Sequence, residues 1–423
     1  MVSMCNVSPT MPEEWKKKFL DLTWSYRDCF GEDMLSISGA VRHFALHLGR
    51  NSAPLKAAKQ RNCSQYSKEL FNLVIKCYIE ANIVKLTSDS ALSNAFVVAK
   101  GKLPPDTPPM KTLSDLKNPE LNSKHLSSAW RLVIDLAQIS RSTQDFSSPN
   151  ITPKEVLSVF TKGKIFLTLD AKDFFSQICL SKDSRYLTAF AIAFAAMQYI
   201  LARLPQGHAA SSAGASLVLK LILYGILRDG YDFTYVDNLA ISDYSYENLY
   251  KVYEQVLERA RYYNLVWKMS DVVIGFRCDD QGESFEVLGL EIQDGRVKVP
   301  RRKVESFSPC EFPRNKKALN RLIGNVNYYG SFSSGFAEAL FHLREEMNQQ
   351  TGKKFVFTNN MDKLVRVIFK MIASSNGLLI LTKEQYMNNT FMLFCDSSKN
   401  SFGASLVCVV GDDLWPICAV SKP

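Results

Sequence analysis

Histidine is scarce in this sequence, five residues in 423, and none of the ten cysteines belongs to a Cys-x-x-Cys pair. Structural zinc modules need close-spaced thiolate and imidazole ligands and are thereby excluded. His43 and His47 have the i, i+4 spacing of a helix face but no third ligand nearby, so no role is assigned to them. Most cysteines sit inside apolar runs, the pattern of buried thiols in a reducing compartment rather than of a disulfide framework. Long hydrophobic runs are also missing. The closest approach to a membrane span, residues 186–204, is interrupted by Gln198 and Arg203, and the N-terminus has no apolar signal core. The expectation is an intracellular protein, cytoplasmic or nuclear, that does not span a membrane. Disorder is excluded by 46% hydrophobic and 22% charged residues, and the length implies roughly two to four compact units.

Helical and strand patterns alternate along the chain. Amphipathic spacing predicts helices over 12–30, 66–86 and 245–264, and a helix with a small-residue start over 209–228. Apolar runs at 95–100, 130–135 and 164–170 read as strands. Between the first two lies 101–128, with Pro104, Pro105, Pro108, Pro109 and Pro119, read as an extended excursion from a hairpin. The class is α+β. Over 296–321 nine lysines and arginines face only Glu305 and Glu311, which makes a concentrated positive footprint. A last unit from about 354 has a strand ending in Asp396, followed by a second apolar run at 403–410.

Two carboxylates stand out. Asp170 ends the 164–170 run. Asp237 is set in Tyr235-Val-Asp-Asn238, where Asp237 and Asn238 read as a tight turn between strands 233–236 and 239–241. If those strands are neighbours, the carboxylates converge at one sheet edge. Hard oxygen ligands with open positions for phosphate oxygens suit Mg²⁺, and paired ions can clamp an in-line phosphoryl displacement. Beside a basic segment, this suggests nucleotidyl transfer on a nucleic acid.

The succession Leu169-Asp-Ala-Lys-Asp-Phe-Phe-Ser-Gln-Ile-Cys-Leu180, Leu204-Pro-Gln-Gly207, Tyr235-Val-Asp-Asn238 and Leu288-Gly-Leu-Glu-Ile292 resembles motifs A, B and C and the primer grip of a reverse transcriptase, in their usual order. It looks closest to the gypsy-type LTR retrotransposon and retrovirus branch. Tyr26-Arg-Asp-Cys-Phe30, Trp130-Arg-Leu-Val-Ile-Asp135 and Leu322-Ile-Gly-Asn-Val-Asn-Tyr-Tyr329 resemble the family's flanking segments.

The resemblance implies a right-hand polymerase: N-terminal helices and fingers over 1–90, fingers with the 101–128 insertion over 91–163, palm over 164–295 and thumb over 296–350. A connection and partial ribonuclease H-like segment would follow over 351–423. It implies RNA-directed synthesis of DNA from dNTPs on a template-primer duplex, by a chain that can form part of a larger polyprotein. Asp170, Asp237 and the Ala171 carbonyl would hold two Mg²⁺ ions, for which Mn²⁺ can substitute, with Asn238 beside them in the catalytic motif. Lys100 and Arg131 would hold the triphosphate. Phe175 would gate against a ribose 2′-OH, and Asp173, Gln206, Gly207, Tyr235 and Val236 would complete the nucleotide site. Arg301, Arg302, Lys303, Lys316, Lys317 and Arg321 would track duplex phosphates, giving salt-sensitive binding.

The sequence departs from the family in three places. The second aspartate of motif C is Asn238, which keeps the shape but not the charge, and Asp243 is too far along the strand to replace it. The lysine expected after motif C is displaced to Lys268 in Trp267-Lys-Met-Ser-Asp271. Asp396 opens a ribonuclease H-like strand without that domain's other carboxylates, so no ribonuclease H activity is expected from this chain alone. Two readings stand: an active reverse transcriptase, or a catalytically weakened or inactive derivative that retains nucleic-acid binding.

Overall fold

The structure is a computed structural model describing all residues except 1–3, 60–61, 101–106, 145–162, 193–196, 279–282, 308–312, 314, 333–335, 351–354, 376, 382, 398–401, 412 and 423. The start of the proline-rich insertion and Arg314 of the basic segment therefore lie outside the described residues.

The element at the centre is the strand Ile165–Asp170 (β1), whose first five residues are buried and apolar or small while Asp170 emerges at its end. A helix follows at Ser211–Ile222 (α1), then strands Phe233–Tyr235 (β2) and Asn238–Asp243 (β3), the helix Tyr246–Tyr263 (α2) and the strand Val273–Arg277 (β4). β1 is flanked on both sides by antiparallel partners, β3 and β4, with β2 outside β3 and the short strand Asn6–Val7 outside β4. A strand with neighbours on both edges and apolar residues on both faces is held in one register, here Asn238 opposite Asp170 and Asp243 opposite Ile165. β4 carries a bulge between Ile274 and Phe276. Gly275 sits there at φ +78°, where a Cβ would lie 1.8 Å from the Met11 side chain.

α2 begins on a Ser245 cap that accepts from the Asn248 amide and ends on Asn264 in the left-handed region. Its buried stripe, Leu249, Val252, Tyr253, Val256, Leu257 and Ala260, packs with the helix Glu13–Ser25 in the same core as β1. A second core joins β2 and β4 to helices Lys316–Asn327, Phe336–Gln349 and Asn359–Ala373. The third lies under an outer sheet in the order Val84–Thr87, Gln198–Leu201, Phe190–Ala191, Ser93–Ala99, Trp130–Ile134, covered by the helix Gln65–Glu80. Among the described residues no helix is long and apolar enough to cross a membrane.

Part of the 101–128 excursion is more ordered than its prolines imply. Asp115–Lys117 forms a 3₁₀ turn and Ser123–Ala129 a helix capped by Asn122, and Met110, Leu116 and Leu126 are buried in the outer core. Those apolar residues outweigh the turn-forming composition between them. His43 and His47 do not share a helix face: the short strand Ala45–Leu46 runs between them and pairs with Cys179–Leu180. At the C-terminal end Thr390–Ser397, Phe402–Val410 and Asp413–Lys422 form an antiparallel sheet on which Asp396 is exposed.

At the end of β3 remote from Asp170, Arg228 clamps two buried carboxylates. Its Nε and Nη2 each donate to Asp232 at 2.8 Å and its Nη1 donates to Asp243 at 2.5 Å, while the carboxylates are 0% and 7% exposed. Burial is the largest influence and would raise the Asp243 pKa, but the Arg228 hydrogen bond, the Ser245 amide, the Arg228 charge and Asn248 together outweigh it and hold the carboxyl below its ordinary range. Such a depressed carboxylate stabilises the fold above the ordinary aspartate range and loses that contribution as pH falls through its folded value. Arg228→Met leaves both charges buried and unpaired. It is expected to destabilise the protein at neutral pH by about 3–5 kcal/mol in chemical denaturation, with a smaller difference from the parent in acid.

Candidate active site

Asp170 and Asp237 open on one cavity of about 590 Å³ whose walls come from all parts of the N-terminal two thirds: Glu32, Asp33, Lys100, Ser127, Arg131, Lys172, Asp173, Phe175, Gln206 and Lys268. The hairpin that delivers Asp237 differs by one residue from the turn expected of Asp-Asn. Tyr235 pairs directly with Asn238, so the two turn residues are Val236 and Asp237, and Asn238 is already the first residue of β3, opposite Asp170. Val236 takes φ +56°, unfavourable for a β-branched side chain. Two interactions hold it there: the Ala171 amide donates to the Asp237 carbonyl at 2.8 Å, and the Val236 side chain packs on the central core. The strained turn sets Asp237 one residue past the register end, beside Asp170.

These carboxylates repel. Burial first, then the charge of Asp237, pushes the Asp170 pKa up to about 7. Asp237 is also raised by burial, against its own backbone hydrogen bond and the Asn238 amide, which donates to its Oδ1 at 3.0 Å. A pair of half-buried carboxylates with a backbone carbonyl at the same strand end is the hard-oxygen donor set that accommodates a divalent cation completed by phosphate and water oxygens. Among the described residues no group of three His, Cys, Asp or Glu side chains could hold a metal by itself, at Asp170 or at Asp396. Since the folded state holds a proton on Asp170 that the unfolded chain releases at lower pH, stability falls as pH rises toward 7. In chelator, Asp170→Asn is expected to raise the thermal midpoint at pH 8 by roughly 2 °C or more and to leave it near the parent's at pH 4.

The cavity also has a cationic lining. Lys100 follows the strand Ser93–Ala99 and Arg131 sits on the paired strand, opposite Val98. The Lys100 Nζ donates to the Ser127 carbonyl at 2.7 Å, and burial pulls its pKa down. Arg131 is exposed and directed at the cavity. Asp173, at φ +40°, pairs with Lys172 at 2.9 Å. Burial works to raise it, and Lys172, Lys100 and Arg131 together outweigh that, leaving an ionised counter-charge among three cations. Asp173 thus ends the strand geometry, and the 3₁₀ turn Phe174–Gln177 follows. Within that turn Phe174 is fully buried and Phe175 half-buried, and both line the cavity. Lys268 lines the same cavity, paired with Asp271 at 2.6 Å.

Not every expected site residue lines this space. Tyr235, Val236, Asn238 and Gly207 do not. Tyr235 packs toward the second core and Val236 into the first, because a two-residue turn displays only one of its side chains outward. Gly207 contributes backbone freedom at φ +90°, and its neighbour Gln206 lines the wall. The residue that sequence reasoning passed over is Gln177. Fully buried, it donates to the Lys172 and Val266 carbonyls at 2.6 and 2.8 Å and accepts from the Val266 amide at 2.8 Å, tying the segment after Asp170 to the strand Trp267–Lys268. An amide inside the apolar run to Leu180 was its only signal.

The basic segment is split. Arg301 pairs with Glu305 at 3.0 Å and Arg302 with Glu286, so both are partly neutralised. Lys303, Lys316, Lys317 and Arg321 have no ion-pair partner among the described residues, and Lys317 and Arg321 are exposed. Glu286 lies outside 296–321, which is why a count over that window overstates the free charge.

Residues 117–292 match the reverse transcriptase (RNA-dependent DNA polymerase) family. Over 281 residues the chain is 25% identical to the retrovirus-related Pol polyprotein from transposon 412 of Drosophila melanogaster, covering 66% of this chain and 21% of that protein. It is 26% identical over 254 residues to the Pro-Pol polyprotein of simian foamy virus type 3 (strain LK3), covering 59% and 21%. The chain thus spans about a fifth of the length of these relatives. The structure of a foamy viral protease-reverse transcriptase in complex with double-stranded DNA superposes with a TM-score of 0.73 at 16% identity, covering all of this chain and 66% of that one. The same enzyme with an RNA/DNA hybrid gives 0.71 at 16% identity, covering 100% and 51%. The α+β fold is therefore shared across the chain, and the stretch 117–292, which carries Asp170 and the hairpin bearing Asp237, matches the reverse transcriptase (RNA-dependent DNA polymerase) family and is similar to retroelement and retrovirus Pol polyproteins.

Proposed function

We propose that this chain is the polymerase part of a gypsy-type LTR retroelement polyprotein and acts inside the cell, adding dNTPs to a primer 3′-OH on an RNA or DNA template. The observation that carries the reading is the convergence of Asp170 and Asp237 on a cavity walled by Lys100 and Arg131. Residues 1–163 would serve as fingers, 164–295 as palm, 296–350 as thumb, and 351–423 as connection and ribonuclease H-like start.

Asp170, Asp237 and the Ala171 carbonyl would hold two Mg²⁺ ions, with Mn²⁺ able to replace them. When bound, such ions lower the pKa of an attacking hydroxyl and steady a leaving pyrophosphate. Arg131 grips phosphate oxygens with a planar fork and Lys100 supplies a point charge. Asp173 holds Lys172 in the wall and offsets the mutual repulsion of the cations when no triphosphate is present to serve as their counter-charge. Phe175 would gate against a ribose 2′-OH, and Gln206 lines the same cavity.

The four unneutralised cations Lys303, Lys316, Lys317 and Arg321 would track the duplex. Reversing all four is expected to weaken heteroduplex binding and to flatten the slope of log K against log salt by roughly 0.9 for each phosphate no longer neutralised, while reversing Arg301 and Arg302 changes it less. A fluorescence-anisotropy salt titration separates the two sets.

The second reading, a derivative that binds nucleic acid without efficient catalysis, is favoured by one observation: position 238 donates an amide hydrogen to Asp237 where the motif would supply a carboxylate. Extension of a DNA primer on an RNA template with dNTPs and Mg²⁺ tests the proposal. Templated product supports polymerase function; no product from either the parent or Asn238→Asp rules it out.

A further inference from the structure

The loop carrying Gln206 is moored by a buried histidine. His208 is 4% exposed although it stands two residues from a cavity wall. The Ala210 amide donates to its Nδ1 at 3.1 Å, so the ring proton is on Nε2, which lies 3.1 Å from the Thr143 hydroxyl. Thr143, 5% exposed, donates in turn to the Ser140 carbonyl at 3.3 Å, and the Ser140 hydroxyl accepts from the Ala209 amide at 3.2 Å. At the other end of the loop the Ser211 hydroxyl donates to the Pro205 carbonyl at 2.5 Å. Both polar ends of the imidazole are therefore satisfied: one by the start of α1, the other by the residue just beyond the helix Ala137–Ser142, which continues from the strand bearing Arg131.

The arrangement links two walls of one cavity. Arg131 enters from the strand Trp130–Ile134, and the chain reaches Thr143 twelve residues later. Gln206 enters from the loop that His208 anchors, with Gly207 at φ +90° between them as the flexible joint. Without the tether, Gln206 would hang on a glycine. An apolar ring of the same shape would fill the space but leave the Ala210 amide and the Thr143 hydroxyl without this partner, and buried polar groups are costly to leave unsatisfied. Nothing in the loop's own packing requires a histidine.

We propose that His208 and Thr143 are positioning residues that fix Gln206 relative to Arg131, and so set the affinity of the site for the incoming dNTP; this rests on reading the cavity as a nucleotide site. Neither Thr143 nor His208 lines the cavity, so both act through Gln206.

The test needs no turnover. The protein is bound to an RNA template with a dideoxy-terminated DNA primer in Mg²⁺, and the dissociation constant of the next complementary dNTP is measured from dNTP-dependent retention of the complex. Thr143→Val and His208→Phe are each expected to weaken dNTP binding about tenfold while leaving duplex binding without dNTP unchanged. Thr143→Ser, which keeps the hydroxyl, should bind within about twofold of the parent, and the double variant should be no weaker than the worse single, as for two residues sharing one interaction. A purely structural role would instead lower duplex binding and thermal midpoint together and leave the dNTP constant of the folded fraction alone; that result overturns the proposal. Amide exchange at Ala209 and Ala210 reads the tether independently of nucleotide: it should quicken in Thr143→Val, and no change there refutes the mooring itself. A parent complex whose retention ignores dNTP, with amide exchange still responding to Thr143→Val, removes the nucleotide reading and this inference with it.

Discussion

Alanine at Asp170 or Asp237 is expected to lower the single-turnover rate of primer extension about a thousandfold or more, with little change in duplex affinity. In the proposed site each carboxylate would supply one full charge to a bound cation. A unit charge at about 4 Å is worth roughly 4 kcal/mol at an effective dielectric of 20. Each 1.36 kcal/mol is a factor of ten in rate, so the loss of one carboxylate corresponds to about three orders of magnitude. The two side chains act as a unit, and Asp170→Ala/Asp237→Ala should be little worse than either single variant. Rapid-quench extension of a preformed complex checks this, with anisotropy on the same heteroduplex as the control. Because Asp170 and Asp237 repel in the absence of a cation, the alanine variants should be no less stable than the parent in chelator. A loss of activity accompanied by unfolding would point to a structural role instead.

Asn238→Asp is expected to act in the opposite direction, raising the extension rate in Mg²⁺ by about ten- to a hundredfold. Asn238 begins β3, opposite Asp170, and its amide donates to Asp237 Oδ1. That hydrogen bond favours the ionised form of Asp237 but draws on a lone pair that a cation would use. Aspartate removes the donor and adds charge at the same strand end, and about a third to two thirds of the charge effect above corresponds to the expected gain. The substitution has a cost that identifies its mechanism. A third carboxylate beside two that already repel should lower the thermal midpoint in chelator and increase the stabilisation on adding Mg²⁺. A faster enzyme without that larger Mg²⁺ response would mean that Asn238 acts through the turn, not through charge.

The carboxylate pair was legible in the sequence as a change of pattern, whereas Lys100, Arg131 and Phe175 were reached only through the resemblance to a family. Asp170 ends a buried run and Asp237 interrupts an apolar hairpin. What sequence reasoning placed wrongly follows from local backbone geometry. Asp-Asn has the better turn propensity, yet the pairing of Tyr235 with Asn238 moves the turn onto Val236, whose strain is held by the Ala171 amide and the core. That tertiary override of propensity leaves no mark in the local sequence. Gln177 and His208 were missed for a related reason: a polar residue in an apolar neighbourhood announces burial, but its partners come from segments remote in sequence, Val266 for one and Thr143 for the other. The basic segment was overcounted because Glu286 arrives from a neighbouring strand.

The central claim is that Asp170 and Asp237 form the metal-dependent nucleotidyl-transfer site of this chain. Its most direct measurement is single-nucleotide incorporation on an RNA template by the Asn238→Asp protein and by the same protein carrying Asp170→Ala, in Mg²⁺ and in chelator. The account predicts templated incorporation of the complementary dNTP in Mg²⁺ by the first protein, none in chelator, and none by the second protein in either. Incorporation that survives Asp170→Ala would contradict it.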